Sequence, residues 1–154
     1  MVSHLDKKNN PIMVNVGNKD ITKRIAEAEG EIVFDKLNYK KIENLKSKKG
    51  SIKNIAIVAG IMGAKETSRL IPLCHNIPIN FINIDIKRDN KSSSLKIISE
   101  VKTLAKTGVE MEALVAVSMS SLTIYDMCKS LSKKITIKNI KLLSKTGGKS
   151  DFKI

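Results

Sequence analysis

Three acids, a thiol, an imidazole and a few lysines stand in this chain at spacings that suit proton transfer and phosphate binding. Asp126 and Lys129 lie three residues apart in an apolar run, so on a helix they share a face and can meet as an acid–base pair. Beside Tyr125, Met127 and Cys128 such a pair is expected to be partly desolvated, with shifted proton affinities; an ordinary surface ion pair is the plain alternative. Glu110 and Glu112 are two apart and would diverge on a regular helix. Thr107 and Glu110 form the TxxE pattern of a capping box, which would occupy Glu110 and leave Glu112 freer to meet a ligand. Lys49 precedes Gly50 at the expected start of a helix, where unpaired N–H groups and the positive end of the macrodipole favour an anion. His75, between Pro72 and Pro78, either donates to a phosphate oxygen or satisfies a backbone carbonyl. Lys149 in Gly147-Gly148-Lys149-Ser150 is not part of a P-loop, because Leu143 stands where that motif needs glycine and no helix can follow. It is either a phosphate-contacting lysine or part of a frayed end.

The elements that must position these groups follow from periodicity. Residues 1–20 read as an extended, flexible arm with a short apolar stretch over 12–16, and 21–154 as one catalytic domain. The patterns predict a strand over 21–34, a short helix over 37–45 and a basic turn over 48–51. Ile52, Ile55, Ala56, Ala59, Met62 and Gly63 recur at helical spacing, with Ser51 as N-cap, so 51–70 is expected to be a core helix with Gly60 and Gly63 at close-packing positions. Pro72 and Pro78 bracket a non-helical connection. Strands over 79–86 and 95–101 form a hairpin around a polar turn, 107–133 is a second long helix, 135–143 a last strand, and 146–154 a basic tail. That order predicts a ferredoxin-like α+β sandwich, a four-stranded antiparallel sheet with two long helices on one face.

Composition narrows the functions. A chain of 154 residues, 42% hydrophobic and 28% charged, suits a single globular domain. The longest uncharged apolar run, 55–64, is too short for a bilayer, and residues 1–10 lack the pattern of a secretory signal, so a cytoplasmic protein is expected. Cys74 and Cys128 are too few for a disulfide framework, and with His75 they lack the spacing and fourth ligand of a metal site, so no metal ligand is assigned. The formal charge of +13 arises from 28 basic residues, almost all lysine, and fits compositional bias as well as selection for a polyanion. Aromatic residues are scarce, which disfavours stacking of single-stranded nucleic acid and favours a small, highly charged ligand.

Several stretches, in order and at compatible spacing, resemble one family. They are VNVGNKDITKR, AEAEGEI, KGS, AGIMGAKETSRLIPLCHNIPI, TGVEMEALVAVSMSSLTIYDMCK and LLSKTGGKS, and the family is that of cyclic pyranopterin monophosphate synthase, in molybdenum cofactor biosynthesis. The resemblance implies a lyase acting on 3',8-cyclo-7,8-dihydro-GTP supplied by a radical enzyme, rebuilding its purine-derived skeleton as a pyranopterin and expelling pyrophosphate. It implies Asp126 and Lys129 as general acid and base, with Lys49 assisting proton transfer or holding the triphosphate. Leu73, Cys74 and His75 with Glu110, Met111 and Glu112 would line the substrate pocket, and Lys149 would reach the phosphates. No cofactor is implied, and a divalent ion accompanying the triphosphate is left open. A homohexamer, a trimer of dimers with sites at subunit boundaries, is also implied, without nucleic-acid or membrane partners. Ser51 replaces the family's usual acid after Lys-Gly, Asn76 replaces a proline, and Glu66 and Arg69 reverse the usual charge order. None of these departures falls on a proposed catalytic side chain.

Overall fold

The computed structural model describes residues 4–42, the backbone of 46 and 47, and 50–154. After an arm over 4–20, the elements are β1 (Thr22–Val33), α1 (Lys36–Lys41), β2 (Lys46–Ser47), β3 (Gly50–Ser51), α2 (Ile52–Lys65), α3 (Thr67–Leu70), β4 (Phe81–Asp89), β5 (Ser94–Ala105), α4 (Glu110–Cys128), β6 (Thr136–Thr146) and β7 (Phe152–Lys153). The main sheet runs β4-β5-β1-β6-β7, with every neighbouring pair antiparallel. Its first four strands with α2 and α4 make the expected ferredoxin-like α+β sandwich. The fifth strand was not foreseen: the tail turns back, and β7 pairs with Ser144 and Lys145 of β6.

Strand alternation sorts the sheet into two faces. On β1, Ala26, Ala28, Gly30 and Ile32 are buried beneath the helices, while Glu27, Glu29 and Glu31 point the other way. Leu95, Ile97, Val101, Ile84 and Ile86 extend the inner face across β5 and β4. On the outer face Glu29 pairs with Lys141 at 3.2 Å and Glu31 with Lys138 at 3.6 Å.

The helices approach closely because small residues meet. A Cβ on Gly60 would lie 2.8 Å from the Ala116 carbonyl oxygen of α4, and the Ser120 hydroxyl donates to the Ala56 carbonyl at 3.0 Å. Gly60 and Gly63 are thus close-packing positions, as their apolar neighbours predict. Ser51 caps α2, its hydroxyl accepting from the Asn54 N–H. The expected single helix over 51–70 is broken at Glu66, whose N–H turns back to the Met62 and Gly63 carbonyls. At the far end, α4 stops at Cys128 rather than 133, and Leu131 N–H closes a tight turn onto the Cys128 carbonyl. Among the described residues no helix is long and apolar enough to cross a membrane.

The arm over 4–20 folds back on itself and onto the domain. Ile12 N–H donates to the His4 carbonyl at 3.0 Å and Asp6 N–H to the Asn10 carbonyl at 2.9 Å, closing a loop whose tip uses positive φ at Asn9. Farther along, the Lys106 ammonium donates to the Gly17 carbonyl.

Candidate active site

The N-terminal end of α4 is the meeting point of the candidate site. Val109 precedes the helix without a side-chain cap, and Thr107 does not close the predicted capping box. The helix begins at Glu110, too late for Thr107 to reach its free N–H groups. As the first helical residue, Glu110 swings off the helix end and pairs with Lys145 of β6 at 3.2 Å. A Cβ on Gly108 would collide with this carboxylate, so glycine leaves it room. Glu110 and Glu112 consequently face one cavity instead of diverging.

That cavity, about 140 Å³, is lined by His4 of the arm, by Leu73, Cys74, His75 and Ile77 of the proline-bracketed connection, and by Thr107, Gly108, Glu110, Met111 and Glu112. Glu112 is 4% exposed; burial pushes its carboxyl up to about 7, and the neighbouring Glu110 charge adds to the rise. The Cys74 thiol is raised as well, by burial and then by Glu112. His75 Nε2 lies 2.7 Å from the Val14 carbonyl oxygen. A carbonyl can only accept, so Nε2 carries the proton and His75 holds the arm. Of the two roles open to His75, the backbone-satisfying one is the one found.

A second cleft, about 230 Å³, adjoins the first through Thr107, Gly108 and Glu110. Its walls carry Lys19, Arg24, Lys106, Lys145 and Lys149 against the single carboxylate of Glu110. Lys149 is brought there by an ordered turn. Gly147 adopts φ +86°, where a side chain would strike the Lys23 carbonyl, while the Thr22 hydroxyl donates to the Gly147 carbonyl at 2.7 Å and Gly147 N–H to Asp151 at 3.1 Å. Arg24 is held over the cleft by the Ala105 and Lys106 carbonyls, each at 3.4 Å. Lys19, Arg24, Lys106 and Lys145 were not singled out from sequence. Lys19, Arg24 and Lys145 do sit inside two of the motifs quoted above, VNVGNKDITKR and LLSKTGGKS, but a single lysine has no contrast in so lysine-rich a chain.

Neither cleft alone reaches the roughly 300–1,000 Å³ of ordinary small-molecule sites, whereas a ligand spanning both would be gripped by a basic end and a shielded, apolar and acidic end. A larger concavity, about 400 Å³, lies elsewhere, between α2 and the start of β4. Its lining of Ile61, Lys65, Ile77, Ile79, Asn80, Phe81 and Ile82 offers no acid, thiol or imidazole, and its single cation, Lys65, is poor provision for a triphosphate.

Two more of the expected residues, Asp126 and Lys129, lie apart from the clefts within this chain. Asp126 and Lys129 pair at 2.7 Å, but both side chains are more than half exposed and line neither cleft. The expected desolvation is therefore absent in the single chain, because Asp126 and Lys129 lie on the solvent side of a turn whose Tyr125, Met127 and Cys128 pack into or against the core. Sixteen helical residues separate Asp126 from Glu110, about 24 Å along the axis. The Asp126 hydrogen bond, and then its charge, hold the Lys129 ammonium above its usual value. Lys49 lies outside the described residues. Both cysteines are free thiols; Cys128 is buried in the core, which pushes it up to about 11.

Residues 13–148 match the model of the MoaC family. A protein of Helicobacter pylori strain G27, named cyclic pyranopterin monophosphate synthase, is 51% identical over 150 residues, covering 97% of this chain and 95% of the relative. Proteins of the same name from Clostridium botulinum strain Alaska E43 / Type E3 and Campylobacter jejuni subsp. jejuni serotype O:23/36 strain 81-176 are 51% and 50% identical, each again over 97% of this chain and 95% of the relative.

Proposed function

The chain belongs to the MoaC family, and from that premise we propose that it is a cyclic pyranopterin monophosphate synthase of molybdenum cofactor biosynthesis. In this reading it is a lyase that converts 3',8-cyclo-7,8-dihydro-GTP to cyclic pyranopterin monophosphate and pyrophosphate. The observation that carries the reading is the pair of adjoining clefts. Five cationic side chains suit a triphosphate, and the shielded cavity beside them, with its high-pKa carboxyl, suits a purine-derived ring.

The chemistry follows from that division. Lys19, Arg24, Lys106, Lys145 and Lys149 hold the triphosphate and stabilise the charge that builds on the departing pyrophosphate. Closure of the cyclic phosphate has a substrate hydroxyl attack the α-phosphorus; the bond from that phosphorus to pyrophosphate breaks, and the hydroxyl proton passes to a base. Leu73, Cys74, Met111 and Glu112 enclose the ring system, where a carboxyl titrating near 7 can both give and take a proton. Asp126 and Lys129, with Lys49, act as the acid–base set, a role worth roughly 10² to 10⁴ in rate. The distance of Asp126 and Lys129 from the clefts calls for a partner subunit, so each site takes its acid–base pair from a neighbouring copy within a homohexamer. Support comes from the apolar side chains that the helix layer leaves exposed: Ile55, Val58, Met62 and Leu122. We assign the chain no resident cofactor and place it in the cytoplasm, where its substrate is made by a radical enzyme.

An RNA-binding role on the open sheet face is disfavoured by the row of Glu27, Glu29 and Glu31 down the central strand β1. The test is to mix purified protein with 3',8-cyclo-7,8-dihydro-GTP and follow pyrophosphate and pterin, with Asp126→Asn and Lys49→Ala as controls. Turnover lost in both variants is expected. No product from the parent chain, or full turnover by both variants, defeats the reading.

A further inference from the structure

The N-terminal arm delivers a side chain that none of the roles above uses. His4 lines the smaller cleft together with Cys74, Glu110 and Glu112. Its Nδ1 is buried and, among the described residues, has no hydrogen-bond partner. Shielded polar atoms without a partner are uncommon in folded chains, so such a nitrogen on a residue at a cavity wall marks a group for a ligand to satisfy.

The position of His4 is not left to a loose end. His75 donates to the Val14 carbonyl, and two residues earlier Ile12 N–H donates to the His4 carbonyl, so the clip on the arm and the half-buried His4 belong to one folded loop. The loop is closed again by the bridge between Leu5 and Pro11. His75 therefore seats the arm against the same cavity that His4 enters.

We propose that His4 is a substrate-contacting residue, whose Nδ1 hydrogen-bonds the ring system of the bound purine-derived nucleotide, and that residues 4–14 form the wall that closes the ring end of the site. This inference rests on the function proposed above. It extends that reading from the domain to the arm.

The test separates the two claims. Binding of 3',8-cyclo-7,8-dihydro-GTP is measured by calorimetry in the Asp126→Asn background, which keeps the ligand intact, and turnover is measured in otherwise unaltered chains. His4→Ala is expected to weaken binding about tenfold and to raise KM by a similar factor, the size of one shielded hydrogen bond. His4→Asn, whose amide can stand where Nδ1 stands, should recover most of the loss, and His4→Gln should not. Equal binding and KM for His4→Ala and parent overturn the role of His4 and leave the proposed function standing. Tight binding without turnover by the parent overturns the proposed reaction but not the contact. A parent that does not bind the nucleotide at all overturns both.

Discussion

Glu112 shows how one residue acquires its chemistry from its surroundings. On the first turn of α4, next to Glu110 and away from water, it titrates near 7. Its folded value lies above its unfolded value of 4.5, so the folded chain holds the extra proton. The stability contributed by this carboxyl is therefore complete below the unfolded value and is lost as pH rises through about 7. Glu112→Gln, which cannot ionise, should melt close to the parent near pH 5 and above it at pH 8, by on the order of 3 kcal/mol at most. A melting difference that does not grow with pH would show that Glu112 is not held protonated. The lysines of the basic cleft make a second prediction at this scale. Removing a cation that donates a charge-assisted hydrogen bond costs about 1.5–3 kcal/mol. Lys145→Ala and Lys149→Ala should each raise KM for the triphosphate at least about tenfold, a shift read in pyrophosphate-release kinetics. Lys133, at an exposed position outside both clefts, is the control that should leave KM unchanged.

Among the elements, α4 is the one on which the site depends, since its N-terminal turn supplies Glu110, Met111 and Glu112 and its buried length sets where that turn sits. The helix is located by its contact with α2, where Gly60 faces the Ala116 carbonyl. Backbone cannot rotate out of the way as a side chain can, so Gly60→Ala should destabilise the chain by about 1–3 kcal/mol in thermal or urea denaturation. An unchanged midpoint would mean that the helices are not in this contact. Much of this level is legible from the residues. Small and apolar positions at helical spacing mark α2 and α4, and alternation around Ile25 and over 32–34 marks β1, although Ala26 and Glu27 favour helix. The failures are at element ends. Thr107 has the composition of a cap but stands too far from Glu110 to serve, and Lys145 draws that carboxylate elsewhere. The two residues of β7 carry no signal of their own and become a strand only because β6 offers them an edge.

At the scale of the whole molecule, the clefts and the Asp126–Lys129 pair occupy opposite ends of α4. If a site draws on two copies, two impaired variants can repair each other when assayed at substrate well below the parental KM, where the raised KM of Lys145→Ala leaves it nearly silent. Chains carrying Asp126→Asn and chains carrying Lys145→Ala, unfolded together and reassembled in equal amounts, should recover about a quarter of the parental activity, the share of sites that combine two intact halves. Mixtures as inactive as either variant alone would place every catalytic group within one chain. The same separation explains why Asp126 and Lys129 are exposed here despite their apolar sequence neighbours: Tyr125, Met127 and Cys128 point to other sides of the same helical turn.

The amino-acid sequence alone determined the order of strands and helices, the faces they bury and the family resemblance carried by motifs such as IPLCH and TGVEMEAL, because these depend on local periodicity and residue type. Only the tertiary structure decided which charges share a space. Lys145 meets Glu110, Arg24 overhangs the same cleft, and His4 enters beside Glu112 through the fold of the arm, the pairing of β6 with β1 and the seating of α4. Contacts between residues far apart in the chain are set by strand register and helix packing, and no spacing along the chain encodes them.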